Sequence, residues 1–427
     1  MQEALDPTTI VIVGAGAAGL VAAAEAAQAA NSVLVIEKRE QPGIKILISG
    51  GGHCNVTTTL PPREAEAQFG PEGGRFLRHA IRAVPPERIR AWLREGGVET
   101  FEAEFDKVWP VSRRAKDVVR VLYERAQRAG ARFCFGRSVT SLEASDDGWR
   151  LVVDGATTVD TKAVILACGG LSYPKTGTTG DGYHWLRELG LRVREPRPAL
   201  APLRVDDAWV HELAGLTLDD VEVQLREQSG RIVWRRHRPV LFTHKGLSGP
   251  GPMDASGRLE REPERYRFCV DLCPGLDEEQ LKKELFVGNA GLEARIARHC
   301  GVPRRLAAVL VERHAKGIAP SEVTKDARRA LLADLKGLAF DVRGSLGFGQ
   351  AEVTTGGLEL DQVDPRTMEV RQHEGLYVTG ELLDVDGPIG GFSFLAAFAT
   401  GALAGRAAAV RGWRRGQASF GTPSRAA

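Results

Sequence analysis

Residues 10–19 read Ile10-Val-Ile-Val-Gly14-Ala-Gly16-Ala-Ala-Gly19, and a second apolar run, Val33-Leu-Val-Ile-Glu37, follows an Ala-rich stretch. Short runs of β-branched residues are typical of buried parallel strands, and the Ala, Leu and Val between them predict a helix over residues 17–30. The glycines have the spacing of a dinucleotide-binding turn. The first permits a tight turn, the second lets backbone approach a pyrophosphate, and the third lets helix and strand pack closely. The stretch therefore predicts a Rossmann-like α/β domain.

The end of this unit indicates which dinucleotide would fit. Free N–H groups and the helix dipole favour an anion at the N-terminus of the predicted helix, so a pyrophosphate would lie there. Glu37 is close to the usual offset of about 20 residues for the acid that accepts a hydrogen bond from a ribose 2′-hydroxyl. Its carboxylate would repel a 2′-phosphate, which disfavours NADP at this position. The alternative is a glycine-rich turn in another kind of α/β protein.

Length and composition limit the remaining possibilities. A chain of 427 residues allows two or three domains, and 43% hydrophobic with 26% charged residues is ordinary for a globular protein. The net charge of +2 gives no argument for nucleic acid or an acidic membrane. No signal peptide is predicted before residue 10, and no apolar run of spanning length is free of glycine or charge. Six scattered cysteines lack the paired spacing of a zinc site, so we predict no metal and reduced thiols in a cytoplasmic protein.

A second glycine-rich stretch follows, Lys45-Ile-Leu-Ile-Ser49-Gly50-Gly51-Gly52-His53-Cys54-Asn55. Three consecutive glycines between polar residues fit neither strand nor helix, but they suit backbone that lies flat against a ligand. We therefore predict ligand contact here. A mobile surface loop is the alternative.

The chain up to residue 189 alternates helical and strand patterns. Amphipathic helices are predicted over 76–84, 86–95 and 115–129, and antiparallel strands over 132–135, 138–143 and 149–153. A turn at Asp154-Gly155 leads to a strand over 157–160, and a separate buried strand is predicted over 163–167. A stretch rich in Gly, Thr and Ser, from Leu171 to Tyr183, then opens a helix with Asp181 at its N-terminus.

An insertion is predicted between two parts of the nucleotide-binding domain. Prolines at 196, 198 and 202 mark a linker, strands over 221–226, 232–234, 240–243 and 266–271 follow, and residues 276–339 have amphipathic helical patterns. The predicted domains are therefore 1–196 with 345–427, and an inserted domain over 197–344. The inserted domain is divided into a small β module at 197–274 and helices at 275–344.

The last stretch complements the first. A strand ends in Thr379-Gly380-Glu381, and Gly390-Gly391-Phe392-Ser393 precedes an Ala-rich helix over 394–409. Glu381 could accept a hydrogen bond from a ribityl hydroxyl, and the helix would direct its positive end at the N1/O2 edge of a flavin. The alternative is a helix capped by Ser393 between acidic surface loops. From Arg411 the basic tail is predicted to fray.

Taken in order, these motifs resemble those of the bacterial HI0933-like (YhiN/BaiN-type) flavoproteins, within the glutathione-reductase-like FAD group. The resemblance is carried by Gly14–Gly19 with Glu37, Lys45–Asn55, Ala167-Cys-Gly-Gly with Ser172-Tyr-Pro-Lys-Thr-Gly, Leu241-Phe-Thr-His-Lys-Gly-Leu-Ser-Gly-Pro250, and Gly380-Glu-Leu-Leu-Asp through Gly391. It implies non-covalent FAD in a two-part domain, with an inserted β-barrel-like plus helical domain over the flavin. It also implies NAD(P)/FAD-dependent oxidoreductase activity. One branch of the family is associated with reduction of carbon–carbon double bonds in steroid-like bile acid intermediates.

Motif and resemblance together predict FAD contacts from both glycine turns, the 45–55 stretch and the ends of the central strands. The predicted residues are Gly14, Gly16, Ala17, Ala18, Gly19, Glu37, Lys38, Lys45, Ser49, Gly50, Gly51, Asn55, Val139, Ala167, Gly169, Gly380, Glu381, Gly390, Gly391, Phe392 and Ser393.

The chain departs from the family pattern at two places. His53 stands where the family usually has Arg, and Phe392-Ser-Phe-Leu395 replaces a Tyr-Asn-Leu-Gln-like run. The missing polar groups at 393 and 395 remove hydrogen bonds that could reach the flavin pyrimidine edge or a substrate. We expect FAD binding to survive, whereas substrate and mechanism could differ from those of relatives.

The expected reaction is a ping-pong cycle, in which a reductant passes hydride to flavin N5 and the flavin passes it to an acceptor. No second glycine fingerprint predicts an NAD(P)H domain, so that donor would dock transiently or be replaced by another reductant. Tyr173, Lys175, His53 and His244 are candidates for the proton donor by motif only. Their structural alternatives are packing beside Pro174, a solvated lysine, a His53 bond to the pyrophosphate or a backbone carbonyl, and a turn at His244.

Three function hypotheses follow. The first is NAD(P)H-linked reduction of a small organic substrate through FAD. The second is an FAD-dependent oxidase that uses oxygen. The third is a tRNA-modifying flavoprotein, because relatives of this fold act on tRNA and the insertion contains Arg231, Arg235, Arg236 and Arg238. Acids lie near these arginines, so a solvated strand face is the plainer interpretation, and we expect neither a nucleic-acid nor a membrane partner.

Overall fold

The computed structural model describes residues 8–30, 32–287, 290–315, 318–320 and 322–418, with side chains described from residue 10 to residue 410. The chain divides into two compact units. Unit 1 comprises the described residues up to Arg197 and from Glu352 onward, and unit 2 comprises Pro198–Ala351. The predicted boundary between residues 344 and 345 is wrong by seven residues, because Ser345 pairs with Leu203 inside a sheet of unit 2.

The first part of the chain contains both strands and helices, including a run of three helices and a run of four strands. The strands are β1 (Thr8–Val13), β2 (Val33–Glu37), β3 (Thr57–Thr58), β4 (Thr100–Ala103), β5 (Lys107–Pro110), β6 (Arg132–Phe135), β7 (Val139–Ser145), β8 (Gly148–Val153), β9 (Thr157–Leu166) and β10 (Val193–Ala199). The helices are α1 (Ala17–Ala27), α2 (Ile44–Ile48), α3 (Pro62–Ala67), α4 (Gly70–Ala83), α5 (Pro86–Glu95), α6 (Ala115–Arg128) and α7 (Asp181–Glu188).

The second part of the chain contains the elements of unit 2 and then the return to unit 1. In unit 2 the strands are β11 (Leu203–Val205), β12 (Thr217–Leu218), β13 (Glu222–Glu227), β14 (Ile232–His237), β15 (Val240–Thr243), β16 (Gly246–Ser248), β17 (Tyr266–Asp271), β18 (Leu338–Phe340) and β19 (Val342–Ser345). Its helices are α8 (Ala208–Glu212), α9 (Pro250–Arg261), α10 (Glu278–Phe286), α11 (Leu292–His299), α12 (Arg304–His314) and α13 (Lys325–Leu335). Unit 1 resumes with β20 (Val353–Leu358), β21 (Leu376–Val378) and α14 (Phe392–Ala418).

The central sheet of unit 1 confirms the predicted Rossmann-like fold. Its strand order is β6-β2-β1-β9-β8-β7, with β21 also paired to β9. Strand β1 lies between β2 and β9, parallel to both, and Val13 is aligned with Ile36 and Leu166. Their apolar, β-branched residues are buried on both faces of the sheet, as is usual where helices cover a parallel sheet. The carboxyl ends of these strands therefore meet at one edge.

Two strand predictions around this sheet are wrong. The predicted antiparallel strand over 132–135 is instead parallel to β2, because α6 makes the crossover that a parallel pair requires. The separate strands predicted over 157–160 and 163–167 are one strand, β9. Its first half pairs antiparallel with β8 and its second half parallel with β1, so the change in hydrophobic pattern marks a change of neighbour.

Both chain segments expected to be irregular continue in regular structure. The prolines at 196 and 198 lie in β10 rather than in a linker, because β10 belongs to a two-stranded sheet, where an unpaired edge tolerates proline. The tail predicted to fray from Arg411 remains helical through Ala418. Residues 419–427 lie outside the described part of the chain.

The core of unit 1 is built around α1 and α14. Phe392–Val410 within α14 is long and apolar enough to cross a membrane by length and composition alone. However, 61% of its most apolar window is buried inside the protein, as expected for a core helix. Small residues on both helices make this burial possible.

Unit 2 has a core of its own between antiparallel sheets and helices. One sheet has the order β12-β15-β16-β11-β19 and the other β14-β13-β17-β18. Helices α10 to α13 lie within the segment predicted as helical, but β18 and β19 return to the two sheets, so 338–344 is not helical. Helix α9 was not predicted, since its Pro-Gly-Pro start resembles a turn.

Candidate functional site

The first glycine turn leaves space for a ligand at only one of its three glycines. Gly14 has a φ of +103°, and a side chain there would lie 2.6 Å from the Ala167 carbonyl oxygen. A Cβ at Gly19 would lie 1.9 Å from the Gly14 carbonyl oxygen. Gly16, in contrast, has ordinary extended backbone, and a Cβ there would meet no described atom within 4 Å. Packing thus requires Gly14 and Gly19, and the open side of the turn lies at Gly16.

The start of α1 is the electrostatic feature of this turn. Gly16 is the N-cap and makes no side-chain hydrogen bond to the helix, and α1 begins with Ala17 and Ala18. No acidic residue lies in the first turn. The first N–H groups of a helix lack intrahelical partners and carry partial positive charge, so this end can receive a pyrophosphate.

Glu37 lies beside this turn, as the sequence predicted. Its carboxylate accepts hydrogen bonds from the backbone N–H of Ala15 at 2.7 Å and of Arg39 at 2.8 Å. These bonds hold the acid at the edge of the turn. The backbone carbonyl of Glu37 accepts from Arg137 N–H, which places Val139 at the start of β7 two residues further on.

Lys38 is engaged within the protein. Its ammonium lies 2.7 Å from Asp181 and 2.5 Å from the Thr179 hydroxyl. This pairing links the end of β2 to the start of α7. Asp181 lies in the first turn of α7, as predicted. Its carboxylate forms an ion pair with Lys38, and the N-cap of the helix has no side-chain capping bond.

Helices α1 and α14 pack in parallel at very short distance. A Cβ at Gly401 would lie 2.3 Å from the Ala18 carbonyl oxygen, and one at Gly405 would lie 2.4 Å from that of Ala22. Gly401 is nine residues into α14, whereas Ala18 is one residue into α1. At 1.5 Å per residue, the N-terminus of α14 therefore extends about 12 Å beyond that of α1. The two helix N-termini carry partial positive charge and are staggered along one direction. This arrangement suits an elongated ligand that has an anionic group near its centre and an electron-accepting ring at one end.

The start of α14 lies against a small three-stranded sheet made of β3, β5 and β4. Gly390 and Gly391 have φ values of +140° and +84°, and a Cβ at Gly391 would lie 2.5 Å from the Thr57 carbonyl oxygen. Phe392 is buried and packs edge-on against Phe69, with ring centroids 5.9 Å apart. Ser393 makes no capping bond among the described contacts. Packing therefore accounts for Gly391, and the first turn of α14 contains no acidic residue.

A charged network links four distant segments of unit 1. Lys45 Nζ lies 2.6 Å from Glu381 Oε2 and 2.5 Å from Ser172 Oγ, and Ser172 Oγ donates to Glu381 Oε1 at 2.6 Å. Thr354 N–H also donates to Glu381 Oε1 at 3.0 Å. A Cβ at Gly170 would lie 2.7 Å from the same carboxylate. The network fixes Glu381 within a part-buried polar site at the carboxyl end of β21.

Ser172 and Thr354 were not predicted as site residues. Thr354 Oγ1 accepts hydrogen bonds from the N–H groups of Leu171 and Ser172 and so shapes the glycine-rich loop. The signal in the sequence was the Val353-Thr-Thr-Gly-Gly357 run, whose paired threonines precede two glycines at positive φ.

The 49–55 stretch forms an exposed turn beside β5. Gly50, Gly51 and Gly52 have φ values of +53°, +66° and +86°. A side chain at Gly50 would meet Trp109, whereas one at Gly51 would meet nothing within 4 Å. Ser49 Oγ donates to the Ile46 carbonyl, and Asn55 Oδ1 accepts from Val108 N–H. The polar side chains thus hold the turn, and only Gly51 offers an open backbone face.

The remaining predicted cofactor residues lie at the strand ends. Ala167 donates its N–H to the Val13 carbonyl, one residue before the first glycine. Gly169 has a φ of +74° beside Thr178, and Gly380 has a φ of +64° beside Ala18. These positions surround the start of α1, so both halves of unit 1 contribute to one cradle.

The four candidate proton donors have different surroundings. His53 is exposed, and its Nδ1 lies 2.7 Å from the Arg113 carbonyl oxygen, the backbone bond that the sequence allowed. Lys175 is exposed in the turn Pro174–Thr176. His244 is exposed between β15 and β16 in unit 2. Tyr173 is half-buried in unit 1, next to Ser172.

The residues present fit FAD. The open face at Gly16, the two helix N-termini without acidic residues in their first turns, and the stagger of those helices match a pyrophosphate and a flavin joined by a ribityl chain. Glu37 lies at the edge of the turn, where it would meet a ribose. Glu381 follows Gly380, which lies beside Ala18 of α1 and Ala397 of α14. No group of three or more His, Cys, Asp or Glu residues that could hold a metal ion occurs in the described part of the chain.

The sequence model of the family described as HI0933-like protein Rossmann domain matches residues 8–407 of this chain. The chain belongs to the HI0933-like family. It is therefore an FAD-dependent oxidoreductase, with the fold and cofactor that the resemblance implied.

Characterised relatives match nearly the whole chain. The ribosomal RNA dihydrouridine synthase of Escherichia coli is 30% identical over 387 residues, which cover 90% of this chain and 94% of that protein. The 3-dehydro-bile acid delta(4,6)-reductase of Clostridium scindens is 31% identical over 416 residues, which cover 94% of this chain and 99% of that protein.

Solved structures show the same fold at low sequence identity. The 3-ketosteroid delta1-dehydrogenase of Sterolibacterium denitrificans has a TM-score of 0.53 at 13% identity, covering 95% of this chain and 100% of that chain. The quinol fumarate reductase subunit FrdA of E. coli has a TM-score of 0.51 at 16% identity, covering 98% of this chain and 72% of that chain.

Proposed function

We propose that this protein uses NAD(P)H to saturate a carbon–carbon double bond conjugated to a carbonyl group in a small organic substrate. The observation that carries this proposal is the chemistry common to its relatives. Dihydrouridine is uridine with its ring double bond saturated, and the delta(4,6)-reductase is named for two steroid double bonds. In each case the double bond is conjugated to a carbonyl, although the substrates differ greatly in size.

The cofactor supplies two-electron hydride chemistry when it is bound, and the protein supplies its position and charge. The N-terminus of α1 would hold the pyrophosphate, and Glu37 the adenosine ribose. Glu381, oriented by Lys45 and Thr354, would hold the ribityl chain. The positive end of α14 would stabilise negative charge at the N1/O2 edge of the ring.

The paired arginines at and just before β14 support a small substrate over RNA. Arg231 pairs with Glu227 at 2.9 Å, and Arg235 lies 3.9 Å from Glu222. Arginines that are already paired release fewer counterions when they bind phosphates. These arginines therefore contribute little electrostatic affinity for nucleic acid.

Uridine reduction in RNA is the second candidate, because the E. coli relative is 30% identical along nearly its whole length and is named for that reaction. The two candidates share the reacting group, a double bond conjugated to a carbonyl, and differ in what surrounds it.

We also propose a cytoplasmic location, which the six free cysteines support.

The test follows the two half-reactions separately under nitrogen. Purified protein is mixed with NADH or NADPH, and bleaching of the flavin bands is recorded. The reduced protein is then mixed with 2-cyclohexen-1-one, with 4-androstene-3,17-dione, or with an unmodified ribosomal RNA transcript. We expect bleaching by a nicotinamide and reoxidation by at least one enone.

Three other results would redirect the proposal. Reoxidation by RNA alone would favour the second candidate. Rapid peroxide formation in air without reoxidation by any probe would favour an oxidase. Failure of both nicotinamides to bleach the flavin would exclude NAD(P)H as donor.

A further inference from the structure

Tyr173 occupies an unusual position in the glycine-rich loop that follows β9. Its backbone is left-handed, with φ +51° and ψ +64°, and Pro174 follows it. Bulky residues rarely adopt this conformation, because Cβ then crowds the backbone, and such strain persists only where the surroundings impose it. Strained positions of this kind cluster at functional sites, which makes the side chain worth tracing.

The loop holds Tyr173 by its backbone. The Tyr173 carbonyl oxygen accepts hydrogen bonds from Thr176 N–H and Thr176 Oγ1, both at 2.8 Å, and from Thr178 Oγ1 at 3.2 Å. The preceding residue, Ser172, is bonded to Lys45 and Glu381. The tyrosine is thus fixed one residue away from the charged network of the cradle, while its phenol has no hydrogen-bond partner in the described part of the chain.

Lys175, two residues further on, is exposed to solvent, and the other acids near the loop are already engaged. Tyr183 donates its hydroxyl to the Glu381 carbonyl oxygen at 2.8 Å and is fully buried. The Lys45 ammonium is held by Glu381, and His53 by a backbone carbonyl at the surface. Burial raises the pKa of the Cys168 thiol to about 12. Tyr173 is the half-buried acid of this loop whose hydroxyl remains available.

We propose that Tyr173 is the proton donor to the α carbon of the conjugated double bond. This inference rests on the proposed function. The double bond gains a hydride at its β carbon, with the electron pair supplied by NAD(P)H through the bound cofactor. It gains a proton at its α carbon from the tyrosine O–H, and the resulting phenolate is reprotonated by water at the half-exposed face of the loop.

The state of the phenol agrees with this role. Burial and, secondarily, the negative charge of Glu352 raise the pKa of Tyr173 above its ordinary value of 10. The hydroxyl therefore carries its proton at neutral pH. General acids of this kind contribute about 100-fold or more to proton-transfer steps.

The experiment compares Tyr173→Phe with a matched control, Tyr183→Phe. Each protein is photoreduced under nitrogen, which removes the dependence on a nicotinamide, and is then mixed with 2-cyclohexen-1-one or 4-androstene-3,17-dione in H2O and in D2O. For Tyr173→Phe we expect reoxidation about 100-fold slower than in the parent. We expect its flavin spectrum, its bleaching by NAD(P)H and the melting temperature of its apoprotein to be unchanged.

The control separates chemistry from stability. Tyr183→Phe removes a buried hydrogen bond, so its melting temperature should fall, while the ratio of its two half-reaction rates should stay that of the parent. With 4-androstene-3,17-dione in D2O, whose fused rings distinguish the two faces, the parent should place one deuterium at the α carbon on a single face when the product is trapped before enolisation exchanges it, and Tyr173→Phe should lose that facial preference.

Two results would overturn the proposal, and they are distinguishable. If the parent is reoxidised by an enone and Tyr173→Phe is reoxidised within threefold as fast, Tyr173 is not the donor although the proposed function stands. If the reduced parent is reoxidised by neither enone, the proposed function fails and the role of Tyr173 fails with it.

Discussion

Replacing Gly16 by alanine should separate cofactor binding from folding. A Cβ at this position meets no described atom within 4 Å, and its φ of −79° and ψ of −166° suit any L residue. We therefore expect the apoprotein's free energy of unfolding to change by less than about 0.5 kcal/mol. If the open face receives the pyrophosphate, the added methyl group overpacks that contact by about 1–3 kcal/mol, which weakens FAD binding about 5–150-fold.

Gly19→Ala is the matched control, because it makes the same chemical change three residues away. Its Cβ would lie 1.9 Å from the Gly14 carbonyl oxygen, so helix and strand must separate. We expect it to destabilise the apoprotein by about 3 kcal/mol.

The assay is urea unfolding of apoprotein, followed by FAD titration of the refolded protein with quenching of flavin fluorescence. The reasoning is refuted if Gly16→Ala binds FAD as tightly as the parent, or if it destabilises the apoprotein as much as Gly19→Ala does.

Two further predictions concern buried groups of unit 1. Glu25 is 6% exposed and pairs with Arg125 at 2.5 Å and with Arg406 at 2.6 Å. Glu25→Gln should therefore lower the free energy of unfolding by about 3 kcal/mol, measured with urea at pH 7. Asp160→Asn, which removes the exposed ion pair with Arg150, should leave the urea midpoint almost unchanged. Burial raises the pKa of Glu25, but hydrogen bonds from both arginines outweigh it and hold the pKa below its ordinary 4.5. The stabilisation by the Glu25 carboxylate is thus present above pH 4.5 and is lost as the pH falls through the lowered pKa. The difference in free energy of unfolding between the parent and Glu25→Gln should therefore become smaller at low pH. A difference that stays constant with pH would contradict the pairing. Cys168 is part-exposed as a residue, but desolvation of its thiol raises the pKa to about 12. It should therefore react with iodoacetamide at pH 8 roughly a thousandfold more slowly than a free cysteine, as measured by peptide mass spectrometry, and alkylation at the free rate would contradict the raised pKa.

The glycine-rich unit could be predicted from sequence because its signals are local. Strand, turn, helix and acid lie within one stretch of chain, so hydrophobic period and glycine spacing were sufficient to find them. The same holds for the strands over 240–243 and 266–271, which the structure places within the predicted limits.

Features that depend on a distant partner could not be predicted in this way. The proline-containing β10 was interpreted as a linker because its partner, β20, lies more than 150 residues further along the chain. Lys45 and Glu381 were each predicted to contact the cofactor, but their ion pair joins residues 336 positions apart. Thr354 was missed for the same reason, since its role is to hold a loop that precedes it by some 180 residues. Local sequence patterns can indicate which residues belong to a site, whereas the contacts that those residues make depend on the tertiary packing of distant segments.

The helix stagger is the other feature that sequence alone does not show. The Ala-rich composition of both stretches predicted the helices α1 and α14, but only the opposition of Gly401 to Ala18 gives their register. That register places the second positive helix end beyond the first, which makes room for a flavin as well as a pyrophosphate.

The most direct test of this cradle is the visible absorption spectrum of the purified protein, with chromatography of the molecule released on denaturation. The account predicts the two bands of an oxidised flavin and release of FAD in equal number to the chains. A colourless protein that gains no flavin bands after incubation with FAD would contradict it.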